Sequence, residues 1–225
     1  TPTDTLTPTY LPIVTSSPAP SANQSYGWLR FVNQWVGANG QAAAVPVDVY
    51  VNEDRIASAV TFGNQSNYYQ VAPGAVRLSL RNADQAAADP QTSAPIATTI
   101  VDVTPGGVVS VLSMDLGTGM ALYPVREDPS PLPVGTSRLT IIQAHPGLPV
   151  VHVDSPDRAL RLASNLKVGS IVGPFDIPGG KYSLDLNDVR SSAVTTISSV
   201  SSNLVGQVSN FLILLPPSVI GGGTI

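Results

Sequence analysis

The length and composition of the chain restrict what it can be. Its 225 residues can form one large domain or two small ones, each with its own core. Hydrophobic residues make up 43% and charged residues 12%, with a net charge of −4 and no run of Lys or Arg, so nucleic acid is not an expected partner. The lack of Cys excludes disulfides and thiolate chemistry, and no apolar run reaches the ~18 residues of a membrane span.

The first 20 residues, TPTDTLTPTYLPIVTSSPAP, are rich in Thr and Pro. They begin without Met, as a mature protein does after loss of a signal peptide, so we expect a secreted or surface-displayed protein. Leu6, Tyr10 and Val14 have even spacing and can share one face of a strand. Pro8 and Pro12 cannot donate to a sheet ladder, so this strand is expected at a sheet edge or inserted into another sheet.

The segment that follows predicts short β-strands. Apolar and polar residues alternate in LRFV (29–32), VDVYV (47–51) and VRLSL (76–80). Ala72-Pro73-Gly74 predicts a turn, because Pro presets φ and Gly accepts a positive φ. Strands about ten residues apart with turns between them are typical of a β-sandwich.

A proline-rich stretch then separates this segment from a second one. Residues 124–133 contain four prolines, which favour an extended, semi-rigid linker. We therefore predict an all-β chain of two tandem Ig-like β-sandwich domains with an extended N-terminal tail. The expected boundaries are a tail over 1–25, a first sandwich over 26–125, a linker over 126–137, a second sandwich over 138–216 and a C-terminal tail over 217–225.

The second segment repeats the first. ASAVTFGNQSNYYQVAPGAVRLSLRN (57–82) and ASNLKVGSIVGPFDIPGGKYSLDLND (163–188) align without a gap at an offset of 106 residues. With small gaps, the match extends to LRFVNQ against LTIIQA (139–144) and to VDVYV against PVVHV (149–153). Self-similarity at a fixed offset predicts a tandem duplication.

Both copies resemble the domain-of-unknown-function family 4397, whose pattern is an opening strand, a VDVYV strand and a PAG-Y-L-V hairpin. Residues 29–33, 47–51 and 72–78 carry the match in the first copy, and residues 177–184 carry it in the second. The family often has a His after the first strand, where the second copy has His145 nearby and the first has Gln34 and Trp35. The resemblance implies an extracellular Ig-like sandwich, often found in tandem on prokaryotic surface proteins, and implies no activity.

No catalytic, cofactor or metal site is predicted. Nucleophilic catalysis requires a base beside the nucleophile, oriented by a third group. His152 aligns with Tyr50 as a strand position, and His145 is expected in a loop. Two acidic clusters, 154–157 and 185–188, lack the spacing of a calcium-binding EF-hand loop and are expected to be solvated turns. We therefore expect a protein that is not an enzyme.

The first of two functions left open is a structural subunit of a surface filament. A chain with so few charges repels its own copies weakly. Residues 1–20 would insert into the sheet of a neighbouring copy, as in donor-strand complementation. The expected partners are further copies of the chain, with O-linked glycans on Thr and Ser. A tail folded back on its own domain is the alternative arrangement. The apolar anchors of the tail are Leu6, Tyr10, Leu11, Ile13 and Val14.

The second function is a monomeric surface adhesin. Aromatic side chains can stack on sugar rings, and several lie close together in the first copy. The glycan-contacting side chains of this alternative are Trp28, Trp35 and Tyr68. The same side chains can instead belong to the sandwich core and to an interface.

Overall fold

A computed structural model gives the fold. It describes residues 25–35, 46–83, 94–115, 119–144, 147–190 and 195–214, together with the backbone of 13–15. The described elements are sixteen β-strands and one short 3₁₀ helix, Pro156–Arg158. The prediction of an all-β fold is confirmed. The chain divides into two compact units, a first unit of Ala19–Ser130 and a second unit of Pro131–Ile225 with Thr1–Pro18.

The first unit is a sandwich of two four-stranded sheets, ordered β5-β2-β8-β9 and β4-β3-β6-β7. Alternate residues of the inner strands point between the sheets, as Leu29 and Phe31 of one sheet and Leu78 and Leu80 of the other do. All four are fully buried in one apolar cluster. The strands are β2 Gly27–Asn33, β3 Val47–Val51, β4 Asp54–Val60, β5 Tyr69–Val71, β6 Gly74–Asn82, β7 Ala97–Val103, β8 Val108–Asp115 and β9 Met120–Glu127.

The second unit has the same architecture. Its two sheets are ordered β1-β16-β10-β13 and β12-β11-β14-β15, around a core that includes Leu139, Val153, Leu184 and Leu212. The strands are β1 Ile13–Thr15, β10 Thr136–Gln143, β11 Val151–Ser155, β12 Leu160–Leu166, β13 Ile171–Pro178, β14 Gly180–Asp188, β15 Thr195–Leu204 and β16 Ser209–Leu214.

The two units match strand by strand. In the order β2 to β8, each strand of the first unit has a counterpart in β10 to β16, with the same neighbours. β4 and β12 begin and end 106 residues apart, and so do β6 and β14. β2 runs parallel to β8, and β10 runs parallel to β16. The remaining places, at one edge of each sandwich, are filled by β9 and by β1.

One predicted correspondence is wrong by two residues. His152 lies opposite Asn187, as Asp48 lies opposite Arg81, so His152 takes the place of Asp48 and not that of Tyr50. An alternating pattern has a period of two, so a shift of two residues leaves the pattern unchanged and the sequence alone does not detect it. The pairing across β14 removes the ambiguity.

This corrected register explains a bulge that both units contain. Ala59 of β4 and Asn165 of β12 have positive φ values of 50° and 55°, which displace their N–H groups from the ladder. The Ala59 N–H donates to Asp48 Oδ1 at 2.9 Å, and the Asn165 N–H donates to His152 Nδ1 at 3.2 Å. A side chain of the neighbouring strand thus supplies the missing acceptor in each unit.

We expect Asp48→Ala to lower the free energy of unfolding of the first unit by about 1–3 kcal/mol, because the Ala59 N–H would lose its acceptor, a carboxylate on a residue that is 2% exposed. Both Trp residues, Trp28 and Trp35, lie in this unit, so Trp fluorescence during urea unfolding reports on it selectively. Arg55, which pairs with Asp48 at 3.1 Å but is half exposed, is the control, and Arg55→Ala should cost within about 1 kcal/mol. Equal effects of the two substitutions would show that the bulge does not depend on Asp48.

The connection between the last strand of the first unit and the next strand can be set beside the predicted linker of residues 126–137. β9 extends to Glu127 and β10 begins at Thr136, so the connection between them is residues 128–135, and Pro124, the first proline of the proline-rich stretch, belongs to a strand. Within the predicted N-terminal tail, the described residues Ile13–Thr15 form β1, a strand in a sheet of the second unit. Within the described part of the chain, no helix is long and apolar enough to cross a membrane.

Candidate assembly site

The candidate site is a sheet edge that occurs once in each unit. The edge strand is β9, beside β8, in the first unit, and β1, beside β16, in the second. In the first unit this edge strand is β9, which follows β8 through a short connection. β9 pairs antiparallel with β8 along eight residue pairs, from Val108–Glu127 to Asp115–Met120. The whole length of β8 is therefore covered, and its backbone groups are paired within the first unit.

A buried ion pair between β2 and β9 further stabilises the position of β9 in the sheet. Glu127 and Arg30 are 3% and 1% exposed, and Arg30 Nη2 lies 3.0 Å from Glu127 Oε1. The Tyr68 hydroxyl donates to the same carboxylate at 3.0 Å, and the Ser110 hydroxyl also donates to it. The Arg30 guanidinium lies 4.8 Å from the centre of the Tyr68 ring and donates to Gln65 at 2.9 Å. These contacts connect β2, β8 and β9 and offset the cost of burying both charges.

In the second unit the corresponding strand is β1, which comes from the opposite end of the sequence. β1 pairs antiparallel with β16 along three residue pairs, Ile13–Leu212, Val14–Phe211 and Thr15–Asn210. The inner side of β16 pairs with β10 along six. The second unit thus receives its eighth strand from residues that precede the first unit.

The registers place β1 in the position of β9. Ser110 lies opposite Arg30 and Val125, while Phe211 lies opposite Thr140 and Val14. Arg30 and Thr140 correspond in the aligned opening strands LRFVNQ and LTIIQA. Val14 therefore occupies the register position of Val125, which is 5% exposed in the first unit.

The structure thus places two of the five tail anchors. Ile13 and Val14 lie in β1 on a sheet of their own chain, which is the fold-back arrangement. Leu6, Tyr10 and Leu11 lie outside the described residues. The receiving strand β16 is not marked by the sequence as an edge, since NFLIL is as apolar as an inner strand.

The three aromatic side chains of the alternative function do not form one surface. Trp28 lies at the start of β2 and Trp35 lies two residues beyond its end, seven residues along the chain and at most about 25 Å away. Tyr68 is half-buried, with its ring against Arg30 and its hydroxyl on Glu127. The arrangement makes Tyr68 part of the β9 attachment and separates the two indoles.

The residues considered for catalysis or calcium are occupied by local partners. Asp154 accepts from Arg161 at 2.7 Å and from Asn187 at 2.7 Å, and the Arg161 hydrogen bond lowers the pKa of Asp154. Arg190 donates to Asp188 at 2.9 Å and lowers the pKa of that carboxyl. His152 accepts the bulge N–H, and His145 lies outside the described residues. Among the described side chains, no three His, Asp or Glu converge on a common point.

Sequence reasoning missed the Arg30–Glu127 pair. The available signal was a charged residue between two buried apolar ones in Leu29-Arg30-Phe31. Its partner is 97 residues away, in a stretch that composition assigned to the linker.

Three comparisons place the chain among known proteins. The family model described as domain of unknown function (DUF4397) matches residues 27–154, which covers β2 to β10 and all but the last residue of β11. Curated protein sequences gave no match. A solved structure, the Bacillus anthracis TIE protein, is similar at 10% identity and a TM-score of 0.24, over 84% of this chain and 33% of that one. The chain therefore spans about a third of that structure's length.

Proposed function

This chain belongs to the DUF4397 family, and from that premise we propose that it is an extracellular structural protein, not an enzyme, whose copies join head to tail into a surface filament. Its two units are tandem Ig-like repeats of that family, and its partners are other copies of itself. The tail of each copy inserts into a neighbour, and exposed Thr and Ser side chains carry O-linked glycans. The observation that carries the proposal is the pairing of tail strand β1 with β16.

The internal symmetry of the chain supports the tandem part of the proposal. Both units have the same strand order, the same parallel pairing of their first and seventh strands and the same bulge. Two strand pairs keep the 106-residue offset found in the sequence. A duplication accounts for all of these features at once.

The difference between the edge strands β9 and β1 supports the proposed assembly of copies into a filament. A sheet edge carries a row of N–H and C=O groups that can pair with an added strand from another chain. In the second unit, this row is covered by a segment that is distant in sequence and pairs along three residues. A tail given by each copy to the next is a heterologous contact, which generates a filament unless the ring closes.

Electron microscopy of the purified chain beside a variant lacking residues 1–20 tests the proposal. We expect filaments from the full chain and monomers from the truncated one. A matched control keeps the length of the tail and replaces its anchors Leu6, Tyr10, Leu11, Ile13 and Val14 by Ser, and it should also remain monomeric. Trp fluorescence verifies that the first unit of each variant is folded.

The other outcomes assign a different function. Filaments from both the full and the truncated chain would place the polymer contact on the sandwiches and contradict insertion of the tail. Monomers from both would overturn the filament and leave the glycan-binding adhesin. Binding of the full chain to a glycan array, and its loss in Trp28→Ala or Trp35→Ala, would then be the measurement.

A further inference from the structure

A specific partner can be inferred from the outer edge of β16, where one further strand pairs with the sheet. In the first unit the equivalent place is filled by β9, which continues directly from β8. In the second unit, the described residues after β10 supply six strands, and the place beside β16 is filled by β1. This place therefore accepts a strand that is not contiguous with the rest of the second unit.

The two edge strands are held unequally. β9 has eight residue pairs with β8 and a buried carboxylate, Glu127, fixed by Arg30, Tyr68 and Ser110. β1 has three residue pairs with β16. The three-residue ladder of β1 has fewer hydrogen bonds to break than the eight-residue ladder of β9, which makes β1 the easier strand to release.

The number of residues between β1 and the first unit limits how far a released β1 can extend. Residues 16–26 join β1 to β2 and can span at most about 36–40 Å when fully extended. A second copy presents the same β16 edge. A β1 strand that pairs there can form the same backbone ladder that it forms with the β16 of its own chain. Exchange of an identical element between copies is a low-cost route to association.

We propose that the edge of β16 over Asn210–Leu212 is the receiving site for the β1 strand of a second copy of this chain. The pairing of β1 with its own β16 is then the self-capped monomer, and assembly replaces it with the neighbour's strand. This inference rests on the proposed filament function and names the surface that receives the tail.

Because the chain contains no Cys, introduced thiols can report the pairing. The donor variant is Thr15→Cys and the acceptor variant is Asn210→Cys, which are opposed in the ladder and within the reach of a disulfide. The control acceptor is Thr98→Cys, an exposed position on the edge strand β7 of the first unit. Mixing the donor with each acceptor under oxidising conditions should give at least about tenfold more of the 15–210 heterodimer than of the 15–98 heterodimer, measured by mass spectrometry of the linked peptides.

The double variant Thr15→Cys/Asn210→Cys tests the self-capped state. Oxidised as an isolated monomer, it should form the bond within one chain, lose assembly and recover it on reduction. A 15–210 heterodimer without filaments would support the receiving site and overturn the filament. Two outcomes would overturn the receiving site and leave the filament function intact. In both, the unsubstituted chain forms filaments. In the first, the 15–210 heterodimer shows no excess over the 15–98 heterodimer. In the second, the oxidised double variant still assembles.

Discussion

Glu127→Ala is expected to lower the free energy of unfolding of the first unit by about 3–5 kcal/mol, because it leaves the Arg30 guanidinium buried without its counter-ion. Arg30 is 1% exposed, so solvent would screen its unpaired charge poorly. The substitution also removes the acceptor of the Tyr68 and Ser110 hydroxyls. Urea unfolding followed by Trp fluorescence measures the loss in the unit concerned.

Two further variants separate the ion pair from general damage to β9. Arg126 is the next residue on the strand, exposed and 3.6 Å from Asp102, so Arg126→Ala should change the stability by within about 1 kcal/mol. The double variant Arg30→Met/Glu127→Leu replaces the pair by apolar groups and should recover most of the loss. A cost of Glu127→Ala no larger than that of Arg126→Ala would show that the buried pair does not fasten β9.

Gly173→Ala is expected to destabilise the second unit by about 3 kcal/mol or more, because two separate penalties coincide. Gly173 lies at a bulge of β13 against β10 and has a φ of +116°, a region that side chains with a Cβ avoid. A Cβ at this position would also lie 2.6 Å from the carbonyl oxygen of Leu139 and 3.2 Å from Cα of Thr140. Both neighbours are backbone atoms of an inner strand, so neither can move aside without disrupting the core.

Gly135 provides the matched control, since its φ is +78° and a Cβ there would meet nothing within 4 Å. Gly135→Ala should therefore cost only about 1 kcal/mol, the backbone penalty alone. Scanning calorimetry detects the unfolding transitions of both units. The transition of the second unit is the one that is not accompanied by a change in Trp fluorescence, because both Trp residues lie in the first unit. Similar shifts of that transition in both variants would contradict the close approach of β13 to β10.

The difference between the two edge strands connects these stability arguments to the proposed assembly. β9 is held by a complete ladder and by an ion pair, so the first unit remains closed. β1 has three ladder pairs and lies at the same place of an otherwise equivalent sheet. One sandwich design thus gives one closed edge and one exchangeable edge. In the proposed filament, the heterologous contact joins two different surfaces, the β1 strand of one copy and the β16 edge of the next.

The sequence by itself determined the local structure. Period-two alternation predicted the strands at 29–32, 47–51 and 76–80, and the turn at Ala72-Pro73-Gly74 precedes β6 as expected. The gapless 106-residue offset of the sequence repeat predicted that β6 and β14 would begin and end 106 residues apart. These features depend on the spacing of neighbouring residues, which a sequence displays directly.

Only the tertiary structure decided which strands meet. A two-residue slip leaves an alternating pattern unchanged, so the place of His152 depended on its partner Asn187 across the sheet. Arg30 and Glu127 are 97 residues apart, and β1 and β16 are at opposite ends of the chain. Pairing between distant segments depends on the packing of the whole core, and no local pattern specifies it.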